Sequence, residues 1–217
     1  MNAHELVKSI HWLGHDSFRI DAAGLVIYID PYLLPAGELP KADMVLITHQ
    51  HGDHCSPDDV ARIQSTATAT LTIPEAAAKL KGNIIQVKPN EKHLVKGITV
   101  ETVPAYNTNK FRSPGNPFHP KEAQHVGFVL TLEGLRLYHT GDSDHIPEMA
   151  QVRADIALLP VSGIYVMTAE EAAQAAADIK PQIAIPMHVG ADIGSPDMAE
   201  TFKALCPVPV VVLPLER

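Results

Sequence analysis

Cysteine is scarce in this 217-residue chain: Cys55 and Cys206 stand far apart, and two such thiols read as reduced cysteines rather than as a disulfide framework. Positive charge is also in deficit. Lys and Arg number 17 against 25 Asp and Glu, a formal charge of −8, which argues against a nucleic-acid partner because phosphate backbones are bound mainly through basic patches. Long apolar runs are missing: none reaches the ~20 uncharged residues of a membrane-spanning helix, and Met1 to Ile10 has no signal-peptide core. A cytoplasmic protein with no membrane partner is the expectation. The oligomeric state, a homo-oligomer included, stays open.

What is present is a chain with 46% apolar and 19% charged residues, a composition that folds, and of a length that one domain over residues 1–217 accommodates. Histidine is the outlier. There are 12, several beside Asp in short glycine-containing segments, and imidazole is the commonest protein metal ligand.

Short β-branched or aliphatic runs predict strands at Ser17 to Ile20, Leu25 to Ile29 and Met44 to Ile47. Ser56-Pro57-Asp58-Asp59 then offers a capping serine, a first-turn proline and two acids, so a helix starts directly after His54. A helix at Pro74 to Leu80 and strands at Ile84 to Val87, Lys92 to Val95 and Ile98 to Val103 follow, with Gly97 in a hairpin turn. Tyr106 to Gln124 shows no periodicity and reads as a substrate-side loop. Beyond it, Glu133-Gly134 joins Val126 to Leu132 and Leu135 to His139 as a tight hairpin. Ile156 to Pro160 and Ile183 to Ile185 read as buried strands, Thr168 opens a capped Ala-rich helix, Ser195-Pro196-Asp197 begins a last helix, and Val208 to Leu213 is expected to close the chain as a strand. Asp or His stands just beyond several strand ends, where α/β sheets usually carry ligands.

The segment His49-Gln50-His51-Gly52-Asp53-His54 places three imidazoles and a carboxylate within six residues. Protonated, they repel one another, and without a metal they gain little from proximity, so a metal site is the economical reading. His139-Thr140-Gly141-Asp142 and Met187-His188 are the best-placed further donors. His125 precedes a strand alone and reads as a surface or hydrogen-bonded residue, outside the ligand set. Cys55 follows His54, but no Cys and His pair with triad logic is visible.

Thr48-His49-Gln50-His51-Gly52-Asp53-His54 resembles the H-x-H-x-D-H signature of the metallo-β-lactamase fold superfamily. Trp12 to Phe18, Asp30-Pro31, Tyr138 to Asp142 and Ile185 to His188 are similar to the branch that contains ascorbate-phosphate lactonase and uncharacterised hydrolases. The resemblance implies an α/β (α+β) fold, a four-layer αβ/βα sandwich with metals at one edge. It implies His49 and His51 at a first metal, Asp53, His54 and His188 at a second, and Asp142 bridging both. The family's third histidine for the first metal falls where this chain has Asn107. Asn107 binding through its amide oxygen, His119 supplying the imidazole, or a labile first site all answer this, and His119 is the favoured answer.

Asp30 is expected to orient a ligating imidazole, His15 either to cap its strand or to serve the site, and His139 either to touch substrate or to support Asp142. One or two Zn2+ ions are expected, with Mn2+ or Fe2+ as alternatives. The activity expected is metal-dependent hydrolysis of an ester, lactone or phosphoester bond in a small anionic substrate, with Asp53 moving the proton. The rival readings are a metal-binding module without turnover, a nuclease of the same fold and a flavodiiron oxidoreductase; the acidic balance speaks against the nuclease, and His51 and the chain length against the last.

Overall fold

The computed structural model describes residues 1–190 and 193–216. After a one-turn helix α1 (Ala3–Val7), opened by an Asn2–Glu5 capping box, six strands build the first sheet in chain order. They are β1 (Ile10–Gly14), β2 (Ser17–Ala22), β3 (Leu25–Ile29), β4 (Met44–Ile47), β5 (Ala69–Thr72) and β6 (Asn83–Gln86). β1 to β3 pair antiparallel and β3 to β6 parallel, so the later strands need crossovers: residues 30–43 make the first without a helix, and α2 (Pro57–Ile63) and α3 (Pro74–Ala77) supply the next two.

The chain continues through β7 (Lys92–Val95), β8 (Ile98–Pro104), a small ribbon of β9 (Phe111–Ser113) and β10 (Asn116–Pro117), β11 (Val126–Leu132), β12 (Leu135–His139), β13 (Ile156–Pro160), α4 (Ala169–Ile179), β14 (Ile183–Met187) and α5 (Asp197–Leu205). The second sheet has the order β14-β13-β12-β11-β8-β7. Alternate residues of its strands serve two cores. Phe128, Leu130, Ile156, Leu158, Ile183 and Ile185 pack with the first sheet, whereas Val129, Ala157, Leu159 and Ala184 pack with α4 and with Phe202 of α5. On the other side, Val60 and Ile63 of α2 and Ala76 of α3 join the core of β4. This is the expected αβ/βα sandwich. No described helix is long and apolar enough to cross a membrane.

The Glu133-Gly134 hairpin is present with Leu132 opposite Leu135, and both turn residues have positive φ (51° and 86°), as a two-residue type I′ turn requires. The strand expected at Val208 to Leu213 does not form. Only an isolated bridge joins Val210 to Ala184, and Pro207, Pro209 and Pro214 take three N–H donors out of any ladder there. The pattern reading missed α1, whose single turn is too short to show a period, β1 and β5, whose His, Gly and Thr residues blur the alternation, and the short β9–β10 ribbon inside the segment read as a loop. The expected helix at Pro74 to Leu80 stops at Ala77.

Candidate metal centre

Strand ends deliver the polar cluster. His15 and Asp16 form the tip of the β1–β2 hairpin, Asp30 follows β3, Thr48 to His54 follow β4, Asn107 follows β8, Asp142 follows β12 and His188 follows β14. Gly127 makes room for the segment bearing Asp142: a Cβ there would lie 2.6 Å from the Thr140 carbonyl oxygen and 2.7 Å from that of His139. His15, Asp30 and His188 all hold left-handed backbone (φ 52°, 45° and 59°), a cost that non-glycine residues usually bear only where the surroundings over-determine them.

One group of donors is His49, His51 and His119, whose ligand atoms lie within 4.8 Å of one another. His49 Nε2 is 3.0 Å and His119 Nε2 is 3.3 Å from His51 Nδ1. Asn107 stands behind His119 instead of beside the donors. Its Oδ1 accepts from the His119 backbone N–H at 2.8 Å and lies 3.0 Å from His119 Nδ1, which leaves His119 Nε2 facing the cluster. The Asn107 amide in turn donates to Asp144 (3.0 Å) and to the Tyr165 carbonyl (2.8 Å). Asp144 also accepts from the Thr108 and Asn109 N–H groups, so the 106–124 segment is anchored where it carries His119 inward.

A second group centres on Asp142. Its Oδ1 lies 3.3 Å from His54 Nε2 and 3.5 Å from His188 Nε2, and its Oδ2 lies 3.3 Å from His119 Nε2, so one carboxylate touches both groups. Asp142 Oδ1, His54 Nε2 and His188 Nε2 are buried and have no hydrogen-bond partner among the described residues. Tetrahedral bonds of about 2.0–2.1 Å set neighbouring donors roughly 3.3 Å apart, so these orphaned atoms fit a shared cation. Both imidazoles are oriented from behind: Asp30 lies 2.8 Å from His54 Nδ1, and Ser162 Oγ lies 2.8 Å from His188 Nδ1. Asp30 accepts as well from the Thr48 N–H and hydroxyl.

The remaining candidates separate clearly. His139 does not reach the cleft: it is buried, its Nε2 donates to the Asp16 carbonyl at 2.9 Å and its Nδ1 accepts from the Gly141 N–H at 3.1 Å, so it braces the segment carrying Asp142. His15 is buried against His188 and His54, with Nε2 3.6 Å from Asp53. The Asp53 side chain is 41% exposed, towards the cleft. His125 is neither a surface nor a hydrogen-bonded residue, contrary to expectation. It is buried, stacks on His49 with 4.8 Å between ring centroids, and neither ring nitrogen has a hydrogen-bond partner among the described residues. Asp16 and Ser162 were also missed, since Asp in a hairpin turn and Ser beside Gly are ordinary turn residues.

Burial holds His49 and His51 below the usual imidazole range, His119 at about 4 and His125 at about 3, so these rings are neutral at pH 7 and offer lone pairs. Burial opposes charge on His54 too, but Asp142 and Asp30 overcome it and push this imidazole up. Asp142, despite burial, is pulled well below the carboxylate range by His54 and His188. Burial and the neighbouring Asp142 push Asp16 well up.

Asp30→Asn is expected to weaken metal binding about ten- to a hundredfold, because an amide cannot accept from both His54 and Thr48. Chelator competition measures this; unchanged affinity would remove Asp30 from any positioning role.

The beta-lactamase superfamily domain matches residues 9–188. A UPF0173 metal-dependent hydrolase of Thermoplasma acidophilum is 33% identical over 213 residues, covering 90% of this chain and 89% of the relative. One from Methanopyrus kandleri is 31% identical over 195 residues, covering 83% and 84%. A solved structure from Parabacteroides distasonis, described as a metal-dependent hydrolase, is 33% identical with a TM-score of 0.81, covering 95% of this chain and 93% of that one. With a two-sheet sandwich whose edge gathers histidines and aspartates into a cation-shaped cluster, this chain belongs to the metal-dependent hydrolases of the beta-lactamase superfamily.

Proposed function

We propose that this hydrolase, acting as a single domain over residues 1–217, cleaves an ester, lactone or phosphoester bond of a small anionic molecule. The observation that carries this reading is a cavity of about 240 Å³ in which Arg112, Phe118 and Tyr165 meet His51, Asp53, His119 and Asp142. Of the three cations in the 106–124 segment, Lys110 pairs with Glu171 at 2.7 Å and Lys121 with Glu148 at 2.8 Å. Arg112 has no carboxylate partner among the described residues, and its guanidinium stands over the Phe118 ring, 5.0 Å from the centroid. A guanidinium so placed suits a carboxylate or phosphate beside the reacting bond. A larger cavity of about 330 Å³ lies over β7, β8 and β12, where Arg136 and Glu101 already pair, and no histidine lines it.

In this reading His49, His51 and His119 would hold one ion, Asp53, His54 and His188 the other, with Asp142 available to both, and Zn2+ is the first candidate with Mn2+ or Fe2+ the alternatives. When bound, such ions would lower the pKa of a water molecule to about 7 and polarise a carbonyl or phosphoryl oxygen. Asp53, open to the cleft, takes the proton of the water and returns it to the leaving group. Arg112 orients the anion, and Phe118 with Tyr165 shields that end of the cleft from water.

A panel of anionic and neutral esters, lactones and phosphoesters tests this on metal-loaded protein. Arg112→Ala is expected to raise KM for anionic members about ten- to a hundredfold, as loss of a charged hydrogen bond does, with little change on neutral members or in metal content. Equal loss on both classes would sink the anion reading. A panel on which the loaded protein is inert would sink the proposed bond types.

A further inference from the structure

Hairpin tips normally sit in water, yet the tip of the β1–β2 hairpin is folded into the cluster, with both His15 and Asp16 buried. Asp16 is fully buried, and neither carboxylate oxygen has a hydrogen-bond partner among the described residues. A buried carboxylate without donors is costly, and here it lies close enough to Asp142 for the two acids to act on each other. Two adjacent buried carboxylates are relieved either by a proton between them or by a cation. The surroundings favour the cation: one donor atom from each of Asp16, His15, His54 and His188 lies within 4.8 Å of the others, and the Nε2 atoms of His54 and His188 are themselves orphaned.

We propose that Asp16 is an anionic ligand of the ion held by His54 and His188. The proposal rests on the reading that the cluster binds two ions. The two centres then differ in kind. His49, His51 and His119 would give the first centre three imidazoles and a share of Asp142, a set suited to zinc, while Asp16 added to Asp53 and Asp142 would make the other centre richer in oxygen and suited to a harder ion such as Mn2+.

The alternative is a protonated Asp16 that donates to Asp142 without touching an ion. Asp16→Asn separates the two, because an amide reproduces the neutral acid's donor but not the charge. Apo protein, wild type and Asp16→Asn, would be titrated with Zn2+ and with Mn2+ under chelator competition, with thermal melts of the apo and loaded forms. Wild type is expected to take two ions. Asp16→Asn is expected to keep one at wild-type affinity, which reports an intact fold, and to bind the second at least about tenfold more weakly, more so for Mn2+. Its apo form should melt higher than wild type, because a buried acid facing Asp142 is gone, while the shift on adding metal shrinks.

Two ions at wild-type affinity in Asp16→Asn would overturn the proposal. If that variant loses both, Asp16→Glu decides: a regained second ion supports the ligand role, and none overturns it. Fewer than two ions in wild type would end both this proposal and the two-ion reading, and that failure shows before any variant is made.

Discussion

Asp142→Ala is expected to lower hydrolysis by about a thousandfold or more and to leave the chain with less than half of the metal that wild type binds. The reason is that a single side chain serves both donor groups: Oδ1 faces His54 and His188, and Oδ2 faces His119, all at 3.3–3.5 Å. Its charge also offsets the burial of those imidazoles. Metal stabilisation of a developing anion is worth several kcal/mol, and about 4 kcal/mol corresponds to a thousandfold in rate. Metal content by plasma mass spectrometry, together with kcat/KM on whichever panel member reacts, measures both effects. Asp142→Asn, which keeps the shape and one acceptor, separates charge from packing: it should retain the apo melting temperature and still lose metal. Wild-type metal content in both variants would remove Asp142 from the centre.

The second large effect is acid lability. His119 at about 4 and His125 at about 3 bind protons in the unfolded chain, near 6.5, well before they do in the folded one. Between those values the unfolded state carries more protons, so stability falls as pH falls. His49 and His51, both lowered by burial, act with the same sign. From pH 7 to pH 4 His119 and His125 alone withdraw on the order of 5 kcal/mol, comparable with the whole stability of many domains.

His54 does not offset this loss. Its raised pKa contributes stability that is complete below 6.5 and is lost only as pH rises through its folded value. Asp16, raised by burial, does oppose it, since its folded form binds a proton above the carboxylate range and regains stability as pH falls. His139, also lowered by burial, adds to the loss, so five imidazoles act against one carboxyl. Apo protein should melt progressively lower from pH 6.5 to pH 4, and loaded protein should release its ions over the same range as protons compete for the nitrogens. A flat apo melting temperature across that range would mean that these rings are hydrated and not buried.

Much of the sandwich was legible in the chain because sheets repeat every two residues. The runs from Val126 to Leu132 and Leu135 to His139, joined at Glu133-Gly134, specify a hairpin through local turn geometry alone. Val208 to Leu213 looked as apolar as those runs, but the prolines around it and its place at the sheet's rim leave only an isolated bridge. The ligand-type segment from His49 to His54 was visible for a different reason: its donors are neighbours in sequence, so their crowding can be counted without a fold.

His119 and Asn107 mark the border between the two kinds of knowledge. The sequence by itself determined that an imidazole was available in the 106–124 segment and that an amide stood where a histidine was expected. Only the tertiary structure decided that the amide lies behind the ring and turns its Nε2 towards His51 and Asp142. The same holds for Asp16, His125 and Ser162, whose partners are remote in sequence: His188 lies 26 residues beyond Ser162, and the cluster around Asp16 draws on the ends of β4, β12 and β14. Secondary structure and motif follow from contacts between near neighbours, which leave a period or a spacing in the chain. Burial, orphaned donors and the side of a ring that faces a cation follow from contacts between distant segments, and those leave no pattern until the two sheets have closed.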